Sequence, residues 1–149
     1  MTSAAEEFHG VAEQRLRRID QRYTSGRRAI VELLVNAGHP VSIGDIAERL
    51  PGLPRSSAYR HLTDLQAAGL VRRVAASDEF TRFELAEDLT EHHHHLLCVG
   101  CSKVTDVTLP PGFEEQLAGA VSRITSAAGF LAHGHRLDVI GLCAACQQN

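Results

Sequence analysis

The 149-residue sequence predicts an α+β protein of two small domains, and three observations lead there. Apolar residues recur at helical spacing three times between Arg27 and Ala68, then give way to two short strand-like runs. All four cysteines fall in two Cys-x-x-Cys pairs, Cys98/Cys101 and Cys143/Cys146, both in the second half. The charge also reverses: 12 Arg face 7 Asp/Glu from Arg15 to Arg82, whereas 3 Lys/Arg face 8 Asp/Glu from Phe83 onward. A basic module joined to an acidic, cation-binding one is the arrangement such an asymmetry suggests, although the net charge of −3 alone argues against nucleic acid.

The first half reads as helices. Residues 1 to about 14 form a helical or frayed lead-in, followed by the basic Arg15-Leu16-Arg17-Arg18-Ile19 and by Arg22. Ser25 is the expected cap of a helix from Arg27 to Ala37, whose stripe is Ala29, Ile30, Leu33, Leu34 and Ala37. Gly38-His39-Pro40 stops it. Ser42 opens the next helix with Asp45 in a capping-box position, burying Ile43, Ile46, Ala47 and Leu50. Pro51 to Pro54 breaks the chain. Ser56 or Ser57 then caps a helix to Ala68, with Ala58, Leu62 and Leu65 inward and Gly69 ending it. The last helix exposes Arg55, Ser57, Tyr59, Arg60, His61 and Thr63, as the second helix of a helix-turn-helix does. The runs Leu70–Val74 and Phe80–Leu85, joined by the polar turn 75–79, add a hairpin and make the module a winged helix-turn-helix.

The second half is organised by its metal-ligand residues. One Cys-x-x-Cys holds two sulfurs on a tight turn, and two such pairs complete a tetrahedral S4 shell for structural zinc. Redox pairs or disulfides are the alternative, but the first pair does not open a helix after a strand, as a thioredoxin-like motif requires. His92-His93-His94-His95 precedes the first pair. It is internal, unlike a purification tag, and ends in an apolar-Cys segment; solvated loop histidines are the bland reading, metal ligands the sharper one. In an extended segment His93 and His95 share one face and His92 and His94 the other, so one strand can feed two metal centres. Ala86 to Glu91 is a polar hinge. A strand from Lys103 to Leu109, a helix from Phe113 to Ala128 lined by Phe113, Leu117, Ala120, Val121, Ile124 and Ala128, and a strand from Arg136 to Ile140 complete this half. About sixty residues bury too little apolar surface alone, so zinc and a partner subunit are expected to stabilise it. The domains expected are a winged helix-turn-helix DNA-binding domain over 1–87 and a small α/β zinc-stabilised dimerisation domain over 88–149.

Other classes fit less well. The start MTSAAEEFHG lacks the basic and apolar regions of a signal peptide, and no apolar run reaches the ~18 residues of a membrane span. Thiol ligands and the absence of an export signal point to the cytoplasm. A zinc hydrolase needs an open coordination position and a placed general base, and neither His-x-Glu nor His-Glu-x-x-His occurs. No enzyme activity, small organic substrate or membrane partner is expected.

With these residues in view, the sequence resembles the ferric uptake regulator family of metal-sensing bacterial repressors over nearly its whole length. The matching stretches are Arg22-Tyr23-Thr24 with Arg27-Arg28-Ala29-Ile30, His39-Pro40, Ser57-Ala58-Tyr59-Arg60-His61-Leu62, Gly69-Leu70-Val71, Arg82-Phe83-Glu84-Leu85, His92 through Cys101, and His135-Arg136-Leu137 leading to Gly141-Leu142-Cys143-Ala144-Ala145-Cys146. The resemblance implies a regulatory metal site of His39, Glu84, His93, His95 and Asp106, and an additional site of His92, His94, Glu114 and His135. It implies DNA contacts from Arg22, Arg55, Ser57, Tyr59 and Arg60, and a homodimer on a pseudo-palindromic double-stranded operator. The sequence departs from the family in carrying Ser25-Gly26 where Pro-Gln is usual, Ser57-Ala58 where Thr-Val is usual, and Ser102 where glycine follows the second cysteine. Zinc-sensing members commonly place a cysteine just past the wing, where this chain has Leu85-Ala86. A nitrogen and oxygen regulatory site suits ferrous iron first, with manganese or zinc as alternatives. The expected function is metal-responsive repression of metal-homeostasis genes. A peroxide-sensing iron or manganese regulator of the same family is the alternative.

Overall fold

The computed structural model describes residues 4–74 and 81–148. It divides into two compact units, one ending at Glu91 and the other beginning at His92.

The first unit is four helices and a three-stranded sheet. Helix α1 spans Ala4–Arg17 and α2 spans Ser25–Ala37. Thr24, one residue before the expected Ser25, caps α2 by accepting from the Arg27 amide; Ser25 lies inside the helix. Gly38, at φ 67°, takes the left-handed conformation that ends it, which a side chain would strain. A two-residue strand β1 (Val41–Ser42) follows, unanticipated because two residues carry no periodicity. Helix α3 (Ile43–Arg49) opens with the expected capping box: Ser42 Oγ accepts from Asp45 N at 3.1 Å and Asp45 Oδ2 accepts from Ser42 N at 2.8 Å. Helix α4 (Arg55–Ala67) begins directly after Pro54, which has no side-chain cap bond. Neither Ser56 nor Ser57 is the cap, because extended Pro54 already ends the preceding turn and places both serines within the first turn of the helix. Gly69, at φ 72°, follows its end.

Strands β2 (Val71–Val74) and β3 (Arg82–Leu85) pair antiparallel, with Val71 opposite Leu85, and β1 joins the other edge of β3, with Val41 opposite Phe83. The sheet order is β1-β3-β2. The turn expected over 75–79, and Phe80, lie outside the described residues. Leu16, Ile30, Ile46, Leu62, Leu65 and Leu70 are each at most 1% exposed and form the core on which α4 rests. Val31, which the helical stripe omitted, is buried beside them.

The second unit is a three-stranded sheet with one helix. Strand β4 (His94–Cys98) is central, antiparallel to β5 (Val104–Val107) and parallel to β6 (Asp138–Gly141). Helix α5 (Pro111–Ala127) begins at the Pro110-Pro111 break. The apolar stripe expected along one side of this helix is present, and no residue of α5 is buried: Phe113 is 52% and Ile124 69% exposed. No helix among the described residues is long and apolar enough to cross a membrane.

Candidate metal centres and nucleic-acid interface

The four cysteines meet where β4 ends and the chain returns from β6. The Sγ atoms of Cys98, Cys101, Cys143 and Cys146 all lie within 4.8 Å of one another, with Cys101 and Cys143 at 3.8 Å. Tetrahedral ligation at roughly 2.3 Å per Zn–S bond requires sulfur separations of roughly 3.8 Å, so the donor set and spacing fit zinc. Closeness is enforced by Gly100, where an added Cβ would sit 2.9 Å from Cys146 Sγ. Ser102, in the position where the resemblance has glycine, adopts a left-handed φ of 61°. The sulfurs compete for charge. The Cys143 amide donates to Cys98 Sγ at 3.3 Å and, with the Cys101 and Gly100 amides, draws the Cys98 thiol down to about 6. Hydrogen bonding to Cys143, Cys98 and Cys101 holds the proton on Cys146, pushed up to about 12. A cation among the four sulfurs would let each ligate as a thiolate.

A second group forms on one face of the histidine run. His92 Nε2 and His135 Nε2 each lie 2.9 Å from Glu114 Oε1, and His94 Nε2 lies 2.9 Å from Glu114 Oε2. Glu114 sits in the first turn of α5, while Glu115 points to solvent. Burial acts to raise the Glu114 pKa, but hydrogen bonds from His94 and His135 outweigh it and hold the carboxyl below its ordinary value. Three imidazole nitrogens turned onto one carboxylate make a compact four-ligand set.

On the opposite face, His93 Nε2 and His95 Nε2 turn toward Asp106 on β5, at 3.9 and 3.7 Å. The alternation argument thus separates the four histidines as the backbone does, even though His92 and His93 precede the strand proper. His94 and His95 are 1% and 2% exposed, so both face inward, one on each side of the sheet. Asp138, unassigned from the sequence, lies 3.2 Å from His95 Nδ1; only the β4–β6 register reveals it. His39 and Glu84 belong to the first unit. His39, in the turn after α2, is exposed, with Nδ1 2.9 Å from the Pro40 carbonyl. Glu84 on β3 is buried and accepts from Arg72 at 2.6 Å. Among the described residues no group of three metal-binding side chains lies wholly within the first unit.

The first unit's candidate interface is α4. Leu62 and Leu65 anchor it to the core, which turns Arg55, Tyr59 and Arg60 outward; Tyr59 is 51% exposed. Arg60 donates to Ser57 Oγ at 3.4 Å. An open groove of about 620 Å³ runs beside the helix, lined by Arg55, Tyr59, Thr63 and Gln66 with Arg73 and Thr81 of the hairpin. Buried Arg27, missed because an arginine in an apolar stripe reads as solvated, ties this face together. It donates to the Arg22 carbonyl, to Gln21 Oε1 at 2.9 Å and to Asp64 Oδ2 of α4 at 2.5 Å. The segment carrying exposed Arg22 is thereby fixed against the helix carrying Arg60. Gly26 has a local reason as well: an added Cβ would meet His61 Nε2 of α4 at 2.7 Å.

A winged helix-turn-helix with an exposed basic helix, joined to a unit carrying clustered cysteine, histidine and carboxylate ligands, defines a metal-responsive transcriptional regulator. The ferric uptake regulator family model matches residues 18–140. The chain is 33% identical over 143 residues to the peroxide operon regulator of Bacillus subtilis, covering 92% of each protein. It is 34% identical over 140 residues to the transcriptional regulator FurA of Mycobacterium tuberculosis, covering 91% of this chain and 88% of that one. The fold is shared with the Helicobacter pylori ferric uptake regulator, whose structure is described as revealing three functional metal-binding sites; the TM-score is 0.76 at 21% identity, over 97% of this chain and 95% of that one. The protein belongs to the ferric uptake regulator family.

Proposed function

We propose that the protein is a dimeric, cytoplasmic repressor that binds a pseudo-palindromic operator when a divalent metal fills a regulatory site of His39, Glu84, His93, His95 and Asp106. The observation that carries this reading is the convergence of His93 Nε2 and His95 Nε2 on Asp106, a nitrogen and oxygen donor set without thiolate. Such donors suit ferrous iron, with manganese or zinc as competitors. His39 and Glu84 belong to the other unit, so ligation by all five fixes the DNA-binding domain, residues 1–87, against the dimerisation domain, residues 88–149. A ligand shifts a conformational equilibrium only by its differential affinity for the two states, and a site divided between domains supplies that difference. Zinc on the four cysteines is structural, and His92, His94, Glu114 and His135 form an additional site within the second domain.

A second copy of the chain covers the apolar stripe of α5 and the exposed Val139, Ile140 and Leu142, which the monomer leaves in water. Two-fold symmetry of the protein then matches two operator half-sites. Arg22, Arg55, Ser57, Tyr59 and Arg60 contact the DNA, the arginines chiefly at phosphates. A response to peroxide is the second reading, favoured by the full-length likeness to the Bacillus subtilis peroxide operon regulator.

The test is binding to a duplex selected from a random pool, measured by anisotropy under anaerobic conditions with ferrous, manganous or zinc ion, or with chelator. Tight binding with metal alone is expected, and equal affinity in chelator contradicts the reading. Peroxide that releases the iron-loaded but not the manganese-loaded protein supports the second reading.

A further inference from the structure

Strand β6 runs parallel to β4 in a register that sets Asp138 beside His95. Asp138 Oδ1 lies 3.2 Å from His95 Nδ1, and its Oδ2 lies 3.5 Å from the Arg136 guanidinium, so both carboxylate oxygens are directed. Across the same imidazole, Nε2 faces Asp106 Oδ1 at 3.7 Å. The ring is 2% exposed. With water largely excluded, its tautomer is set by the groups at its two nitrogens rather than by solvent.

We propose that Asp138 is a positioning residue of the regulatory metal site: it accepts the Nδ1–H of His95 and so fixes the tautomer whose Nε2 lone pair faces the metal. The proposal rests on the reading of His93, His95 and Asp106 as regulatory ligands. Its chemistry is general, because a ligating imidazole commonly donates its other N–H to a carboxylate, which sets ring orientation and raises ligand basicity. Asp138 is not itself aimed at the donor set: it lies on the Nδ1 side of the ring, away from Asp106. The Arg136 contact holds the other carboxylate oxygen, which orients Oδ1 toward the imidazole. Helix α5 and its Glu114 serve the other face of β4, so the two histidine pairs are tuned by different carboxylates.

The experiment uses full-length protein with zinc on its four cysteines and manganous ion as the probe. Manganese affinity is measured by chelator competition, and the His95 tautomer by imidazole nitrogen NMR before manganese is added. Asp138→Leu is expected to weaken manganese binding by about 10- to 100-fold and to shift His95 away from the Nδ1–H tautomer. Asp138→Asn, which keeps an acceptor oxygen and guards against a misfolded leucine variant, restores the tautomer and part of the affinity. Unchanged affinity and tautomer in Asp138→Leu overturn the proposal. So does a loss as complete as that of His95→Ala, which would make Asp138 a ligand. His93→Ala separates the two readings: if it binds manganese like the unmodified protein, the regulatory assignment fails, while the tautomer measurement still judges Asp138.

Discussion

Up to Glu91 the chain seals Leu16, Ile30, Ile46, Leu62 and Leu65 from water; from His92 onward the buried apolar side chains are Leu97, Cys98 and Val104, beside two buried histidines. The second unit meanwhile leaves Phe113, Ile124, Phe130, Leu131 and Ile140 more than half exposed. One unit is held by its own core. The other has polar ligand clusters where a core would be, and its apolar side chains are largely exposed. On the proposed reading, a domain that small gains its stability from outside the chain, from metal and a second subunit. Its folding should then depend on metal supply, while the first unit stays intact.

The largest break in this contrast comes from the cysteines. Cys98→Ser should release zinc and unfold the second unit with loss of the dimer, because ligation free energy is folding free energy, about 10–16 kcal/mol for structural zinc sites. Hydrogen exchange should show α2 and α4 still protected while β4 and β6 exchange freely. Equal protection of both units in the variant would remove the contrast.

Truncation of apolar side chains comes next. Leu65, fully buried, should cost about 2–5 kcal/mol as Leu65→Ala, read as denaturant unfolding of the first unit. Ile124→Ala, at a 69% exposed position, should leave the fold unchanged but weaken the dimer about tenfold, near 1.4 kcal/mol. Sedimentation across a concentration series measures it.

The smallest effect concerns acid. Burial tends to raise the Asp45 pKa, but hydrogen bonds from the Ser42 backbone and side chain, with Arg82 nearby, outweigh it and leave the pKa below its ordinary value. A depressed carboxyl stabilises the fold above its unfolded pKa of about 3.9 and loses that contribution as pH falls through the lower, folded value. Asp45→Ala should cost about 1 kcal/mol at neutral pH and flatten the acid limb of first-unit stability. An unchanged acid limb would mean that the capping box is not the group titrating there.

Helices α2, α3 and α4 were legible because apolar spacing, the Ser42/Asp45 box and Gly38 and Gly69 all point the same way. The sulfur cluster was legible from spacing alone, and the division of the histidines from strand alternation. The start at Thr24 was not, since adjacent Thr24 and Ser25 compete equally as caps in a sequence, nor was the start at Pro54, which caps α4 without a side-chain bond. Arg27 and Asp138 were invisible for a different reason: their partners lie 37 and 43 residues away in the chain, and only packing or strand register brings them together. The apolar face of α5 was legible from its spacing, but a helical stripe shows only that a face is apolar, not which molecule covers it.

On the proposed reading, ligands in the second unit govern DNA affinity in the first. This is tested most directly by operator affinity measured against free manganous ion for the unmodified protein, His93→Ala and His92→Ala, with zinc content and dimer state followed in parallel. His93→Ala should keep its zinc and its dimer but lose metal-dependent DNA binding, whereas His92→Ala, on the opposite face of the strand, should be weakened less. A His93→Ala protein that still binds the operator in proportion to manganese would contradict it.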